Sequence, residues 1–128
     1  MVEEQEDYKR AAGAYLVWPL ALAALIQEPP ETSRWARIHT RQALAFGVAA
    51  SIGIVVLMGL PLVAVLADPA ISTGQTVTLY TAGLILDGLA IAGWAALAFS
   101  YAARAGRGEL FAIPLVAGLA DRLLANRR

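Results

Sequence analysis

The sequence contains no cysteine, and charged residues make up only 16% of its 128 residues. Without cysteine, the chain has no disulfides, thiol nucleophiles or cysteine-ligated metals. Ten basic residues balance ten acidic residues, so the charge balance does not indicate a nucleic-acid partner. No basic leader with an A-x-A site precedes the first apolar run, so we expect no cleaved signal peptide.

Apolar residues are abundant, at 59% of the chain, and the mean hydropathy is +0.60. An average soluble domain is about 45–50% apolar. A single domain of this length cannot bury so much apolar surface, so a bilayer is the expected solvent. The sequence therefore predicts an all-α integral membrane protein, folded as a small bundle of three to four membrane helices.

Four apolar segments define this single membrane domain, which extends over residues 1–128. The second contains 24 consecutive residues without a charge, residues 43–66, and is the strongest candidate span. The first is short and contains Pro19. It is either a kinked or re-entrant helix, or a helix that is lengthened toward its N-terminus to include Tyr8. The last is too short to cross easily and suits an interfacial or re-entrant helix. The segments are a short membrane helix at 11–26, an amphipathic lead-in with a spanning helix at 33–66, a spanning helix at 77–103, and the final helix at 111–124.

The arginines predict the orientation of the chain. The loop between the second and third segments has no lysine or arginine, whereas the first loop and the C-terminal region contain several. The positive-inside rule then places the first loop and the C-terminal region in the cytoplasm. We expect a multi-pass protein of the cell inner (cytoplasmic) membrane.

The stretch SRWARIHTRQAL, residues 33–44, places three arginines and the only histidine at the start of the strongest span. On a helix the arginines occur at i, i+3 and i+7 and share one face. One interpretation is an anchor to lipid phosphates, with the tryptophan at the membrane interface. Another is a docking surface for a partner or an anionic headgroup, and catalysis by the histidine is a remote third. The candidate interaction residues are Arg34, Trp35, Arg37, His39, Arg41 and Gln42.

The segment RWARIHTRQAL resembles the signature of a family of small prokaryotic membrane proteins of unknown function. That family is related to Tic-twenty, the protein-import component of the chloroplast inner envelope. AGAYLVWPLALAALI is similar to the family's first helix, and ARAGRGELFAIPLVAGLADRL to its closing segment. The resemblance implies four α-helical membrane segments and no cofactor. It carries over Arg37, His39, Arg41, Gln42, Gly108 and Pro114, none with a catalytic role.

Asp87 is the one acid inside the third segment, where an ionised carboxylate would cost about 2.5–3.5 kcal/mol at the centre of a membrane helix. It is either a proton or cation site, or a protonated acid bonded to a hydroxyl or carbonyl. An alternative register would place it nearer an interface.

Small residues at helical spacing predict close helix packing, within the bundle or between copies. The packing candidates are Gly47, Ser51, Gly53, Gly83 and Gly88.

These patterns contain no nucleophile–base pair, metal cluster or phosphate-binding glycine loop, so we expect neither an enzyme nor a cofactor. The expected partners are membrane lipids and other membrane-protein subunits or further copies, without nucleic acid. The first functional hypothesis is a Tic-twenty-like subunit of a transport or protein-translocation assembly. The second is an accessory subunit packed on a larger membrane complex. The third is an ion or proton conduit centred on Asp87.

Overall fold

The computed structural model describes residues 2–27, 32–114 and 118, and all regular secondary structure in that part of the chain is helical. This confirms the all-α prediction for the described residues. Two of the four helices, α3 and α4, are long and apolar enough to cross a membrane by length and composition. The four helices are α1 (Val2–Leu16), α2 (Trp18–Ile26), α3 (Arg34–Ala67) and α4 (Thr73–Gly106).

The first apolar run is divided between α1 and α2, which meet at Val17. Val17 has φ −132° and ψ 83°, outside the helical region. Pro19 explains the break, because a proline inside a continuous helix would leave the carbonyl of Tyr15 without its donor. In the first turn of α2 the missing proline N–H costs nothing.

Helix α3 begins after Ser33, whose hydroxyl Oγ accepts a hydrogen bond from the N–H of Ala36 at 3.1 Å. The helix then continues through Pro61 to Ala67 without interruption. At 1.5 Å per residue its 34 residues extend about 51 Å, longer than the roughly 30 Å hydrocarbon core of a bilayer. The charge-free part of α3 is long enough for that core, and the polar lead-in is additional length.

Both ends of α4 have recognisable caps. Ser72 and Gln75 form a capping box, in which the Ser72 N–H donates to Gln75 Oε1 and the Gln75 N–H donates to Ser72 Oγ. At the other end, the Glu109 N–H donates to the Arg104 carbonyl and the Gly108 N–H donates to the Ala105 carbonyl. This pair of bonds is a Schellman motif, and Gly108 takes the left-handed conformation it requires, with φ +73°.

The chain divides into two compact units. The first unit, residues 1–49 and 97–128, contains the described core, whose buried apolar members come from α1, α2, α3, the end of α4 and the segment after it. Small alanines let helices approach closely, and two large rings fill the remaining space. The core residues are Ala11, Ala14, Tyr15, Ala21, Ala43, Ala102, Ala105, Phe111 and Ile113.

The second unit, residues 50–96, has almost no interior. Only Pro61 and Asp87 are buried within it, and its large apolar side chains are mostly exposed. Leu84, for example, is 71% exposed. So much exposed aliphatic surface is expected of helices that meet lipid or a partner protein.

The final predicted segment, 111–124, lies mostly outside the described residues. Its first residues, Phe111 to Ile113, follow the Schellman motif without forming a helix.

Candidate functional site

His39 is fully buried in the first unit and joins three parts of the chain. Its Nδ1 lies 3.1 Å from the hydroxyl of Tyr15 on α1. Its Nε2 lies 3.1 Å from the backbone carbonyl of Glu109, 70 residues further along the chain. One imidazole therefore holds α1, α3 and the segment that follows α4 together.

The partners of His39 determine which ring nitrogen carries the proton. The Glu109 carbonyl can only accept a hydrogen bond, so Nε2 donates to it. In the neutral ring Nδ1 is then an acceptor, and the Tyr15 hydroxyl donates to it. Both nitrogens are satisfied by groups that face the ring, as a buried polar side chain requires.

Aromatic side chains surround this imidazole. The Trp35 ring centroid lies 4.3 Å from that of His39, and the Phe111 centroid lies 4.9 Å away. Tyr101 stacks on Phe111 at 5.5 Å, and the Tyr15 centroid lies 5.9 Å from that of Phe111. We call His39 with Tyr15, Trp35, Tyr101 and Phe111 the aromatic cluster.

Charged side chains fix the turn that carries Glu109. Arg104 Nε donates to Glu109 Oε2 at 2.9 Å, and Arg107 Nε donates to Oε1 at 2.8 Å. The Arg104 guanidinium also lies over the Phe111 ring, 4.4 Å from its centroid. The hydrogen bonds from Arg104 and Arg107 hold the pKa of Glu109 below its usual range. The same residue thus presents its carbonyl to His39 and its carboxylate to two arginines.

Gly108 permits the turn for two reasons. Its positive φ favours glycine. A Cβ at this position would also lie only 2.9 Å from Cζ of Tyr8. The tyrosine ring itself packs edge-on against Trp35, at 4.7 Å between centroids. Gly108 and Trp35 lie in two distant segments that resemble the family. Both are next to the side chain of Tyr8.

The six candidate interaction residues of the lead-in separate into two groups. His39 and Gln42 are buried, whereas Arg34 is exposed and the remaining three are partly exposed. The lead-in surface that a headgroup or partner can reach is therefore formed by the arginines, with Trp35 beside them. His39 is instead buried within the aromatic cluster. Its role in the described structure is to connect segments of the first unit.

Gly47 is the packing glycine of the first unit. A Cβ there would overlap Cβ and Cγ of Trp18, so only glycine allows α2 to lie this close to α3.

In the second unit, Gly83 is the glycine that meets another helix, with Cγ of Pro61 2.6 Å from where its Cβ would be. Pro61 therefore serves as a contact surface for α4. At Gly53 and Gly88 no atom lies within 4 Å of where a Cβ would be, and both glycines are exposed. Ser51 is partly buried.

Asp87 lies near the middle of α4 and is only 7% exposed. Its Oδ1 is buried and has no hydrogen-bond partner among the described residues. One interpretation of the sequence was a protonated Asp87 bonded to a hydroxyl or carbonyl. Oδ1 does not make that bond in the described structure. Trp94, further along α4, likewise has a buried Nε1 without a hydrogen-bond partner in the described part of the chain.

Sequence reasoning missed the partners of His39. A search for an acidic side chain near the histidine could not find Glu109, because Glu109 contributes its backbone carbonyl. Tyr15 lies 24 residues before His39, and no local pattern pairs the two side chains. The third segment was predicted to begin at residue 77, whereas the S-x-x-Q capping-box pattern at residues 72–75 marks the start of α4 at Thr73.

In residues 2–27, 32–114 and 118 all regular secondary structure is helical, and two of the helices are long and apolar enough to cross a membrane. No protein-family model matches the chain, and no curated protein or solved structure is similar to it at a significant level. The relation to Tic-twenty, drawn from short motifs, therefore stays a prediction.

Proposed function

We propose that the chain is a non-enzymatic subunit of a membrane transport or protein-translocation assembly, similar to Tic-twenty. In this proposal α3 and α4 span the inner membrane, and the first loop and the C-terminal region face the cytoplasm. The proposal rests on the motif resemblance together with one structural observation.

That observation is the convergence of the three segments that carry the resemblance. The first-helix segment contributes Tyr15, the lead-in contributes His39, and the closing segment contributes Glu109. The three resembling segments, which are far apart in sequence, therefore meet at His39. This is expected if the motifs define one architecture, and the family kinship is what connects that architecture with translocation.

The exposed surface of the second unit supports a subunit role. Its leucine, isoleucine and valine side chains cover both helical segments, and exposed large members include Val55 at 67% and Leu84 at 71%. Lipid can cover part of this surface, and a membrane partner can cover the rest. A chain of this size buries only a small interior of its own.

The test is site-specific photocrosslinking in native membranes, with a photoreactive amino acid at Val55, Leu84 or Arg34. Asp68, in the exposed polar turn, provides a matched control position. Crosslinks from the first three positions to translocation machinery or to a chain in transit support the proposal. Crosslinks only to lipid or to further copies of the protein contradict it.

The exposed second unit also favours an accessory subunit on a larger membrane complex as the second candidate. It predicts a partner of fixed stoichiometry, outside the translocation machinery, captured from Leu84 and absent from Asp68. Co-purification in mild detergent and quantitative mass spectrometry measure that stoichiometry. A variable or substoichiometric partner contradicts this candidate.

The buried, unpaired Oδ1 of Asp87 favours the conduit as a third candidate. A conduit needs the carboxylate itself, so Asp87→Asn in proteoliposomes should abolish proton or cation flux. The neighbouring exchange Gly88→Ala, on an exposed face, is the control. Unchanged flux in Asp87→Asn eliminates the conduit and leaves the subunit candidates intact.

A further inference from the structure

An open cavity of about 960 Å³ lies in the first unit between α1, α2 and the start of α3. Its size is at the upper end of the roughly 300–1,000 Å³ typical of ligand sites. It is separate from the aromatic cluster, since none of the five cluster residues lines it. Of the candidate interaction residues in the lead-in, only Arg37 reaches it.

The walls of the cavity differ in polarity. The α2 side is aliphatic and includes Leu20, Ala23 and Leu25. The α1 side is charged, with Glu6, Asp7, Lys9 and Arg10, and α3 adds Arg37. An aliphatic wall opposite a charged one suits a ligand that is itself amphipathic, with an alkyl chain and an ionic head.

Among the described lining residues, the charged wall carries both signs, with three cations and two carboxylates. Glu6 already pairs with Arg10 at 3.7 Å. The Arg37 guanidinium is oriented by a 3.1 Å bond from Nη2 to the Thr32 carbonyl. A purely anionic headgroup would leave its phosphate near Asp7, whereas a headgroup with a phosphate and an ammonium matches both signs.

We infer that this cavity binds one phospholipid whose headgroup contains a phosphate and a primary ammonium, such as phosphatidylethanolamine. Arg37 and Lys9 contact the phosphate, Asp7 accepts hydrogen bonds from the ammonium, and an acyl chain lies against α2. The inference does not depend on the transport proposal, because a structural lipid would suit any of the candidate functions.

Gly13 provides the sharpest test, because it lines the cavity and no atom lies within 4 Å of where its Cβ would be. Gly13→Leu therefore adds a bulky side chain to the cavity wall at a position where the new Cβ meets no protein atom. Gly53→Leu is the matched control, since position 53 is equally open and lies outside the cavity.

The measurement is native mass spectrometry of the full chain in mild detergent. Dioleoyl phosphatidylethanolamine, phosphatidylglycerol or phosphatidylcholine is added at equal concentration. We expect the parent protein to retain one phosphatidylethanolamine per chain. Retention of this lipid should be about tenfold lower in Gly13→Leu and unchanged in Gly53→Leu. Equal retention of all three lipids, or equal losses in the two variants, would overturn the inference.

Asp7→Asn tests the headgroup assignment separately. Removing a charge-assisted hydrogen bond should lower the preference for phosphatidylethanolamine over phosphatidylglycerol about tenfold. Phosphatidylcholine, whose quaternary ammonium cannot donate, should bind both proteins poorly. An unchanged preference in Asp7→Asn would overturn the assignment of the ammonium to this wall.

Discussion

In the first unit aromatic rings surround a fully buried histidine, whereas in the second unit aliphatic side chains lie exposed on two helical segments. Both units contain one glycine that allows a close helix contact, Gly47 in the first and Gly83 in the second. They differ in what lies beyond that contact. The first unit continues into a core with hydrogen bonds of specific geometry, and the second continues into open surface.

The difference shows that apolar content and burial are separate properties. A soluble domain would have to bury the leucines and valines of the second unit to be stable, but helices in a bilayer do not. The first unit combines buried polar groups with aromatic packing, which specifies one arrangement of its segments. We therefore expect substitutions in the two units to have very different effects.

The largest effect is expected for His39→Ala, at about 2–4 kcal/mol of lost stability, because the exchange removes ring contacts and leaves buried partners unsatisfied. The matched exchange in the second unit, Leu84→Ala, should change stability by less than about 0.5 kcal/mol, since the side chain is exposed. Circular dichroism during SDS titration in mild detergent measures both.

Tyr15→Phe gives a milder version of the same test. It keeps the ring and removes only the hydroxyl that donates to His39, so a loss of about 1 kcal/mol is expected. Equal stability of His39→Ala and Leu84→Ala, or a neutral Tyr15→Phe, would show that the cluster does not hold the first unit together.

The second effect, about 1–3 kcal/mol, is expected for Gly47→Ala, because the new methyl overlaps the Trp18 side chain near its attachment to the backbone. Gly53→Ala meets no atom and should be neutral or stabilising by up to about 1 kcal/mol, since alanine favours a helix. The same SDS titration compares them. A destabilised Gly53→Ala would point to a contact with another copy or a partner.

The third effect lies within the second unit and compares a glycine in a helix contact with a glycine on the open surface. Gly83→Ala places a methyl 2.6 Å from Cγ of Pro61, and a loss of about 1–2 kcal/mol is expected. Gly88→Ala, on the same helix but facing open space, is the control. Trypsin accessibility of single-lysine variants in the loop between α3 and α4 reports whether this contact loosens. Indistinguishable digestion rates would contradict a specific contact at Gly83.

The smallest effect is a pH dependence that arises in the first unit. The folded pKa of Glu109 is lowered by Arg104 and Arg107, so the folded state favours the carboxylate. The stabilisation is therefore complete above the unfolded pKa, about 4.3, and is lost as the pH falls through the lower folded value.

Glu109→Gln should remove this acid-sensitive step and leave the bond from its backbone carbonyl to His39 in place. Thermal unfolding followed by tryptophan fluorescence from pH 6 down to about pH 3 gives the comparison. The variant and the parent protein should converge at the acid end. Identical pH profiles throughout would mean that the two arginines do not stabilise the folded carboxylate.

Several features of the protein were determined by local sequence. The charge-free run at 43–66 predicted the long helix α3, because an apolar segment of this length in a bilayer satisfies its backbone hydrogen bonds as a helix. Serine is a residue type that favours the N-cap position, as Ser33 does in α3, and Gly108 has the freedom to adopt the left-handed conformation of the turn after α4. These features depend on groups a few residues apart, and their spacing is visible in the sequence.

Other features were decided only by the tertiary structure. The sequence gives no reason for His39 to meet Tyr15 and the Glu109 carbonyl, because those partners are 24 and 70 residues away. The two prolines also behave differently: the helix breaks at Val17 before Pro19, whereas α3 passes through Pro61 without a break, and local sequence does not separate the two cases. Local spacing determines where the helices form. Which helices meet depends on long-range contacts, because many segments offer similar apolar surfaces and only the tertiary structure selects among them.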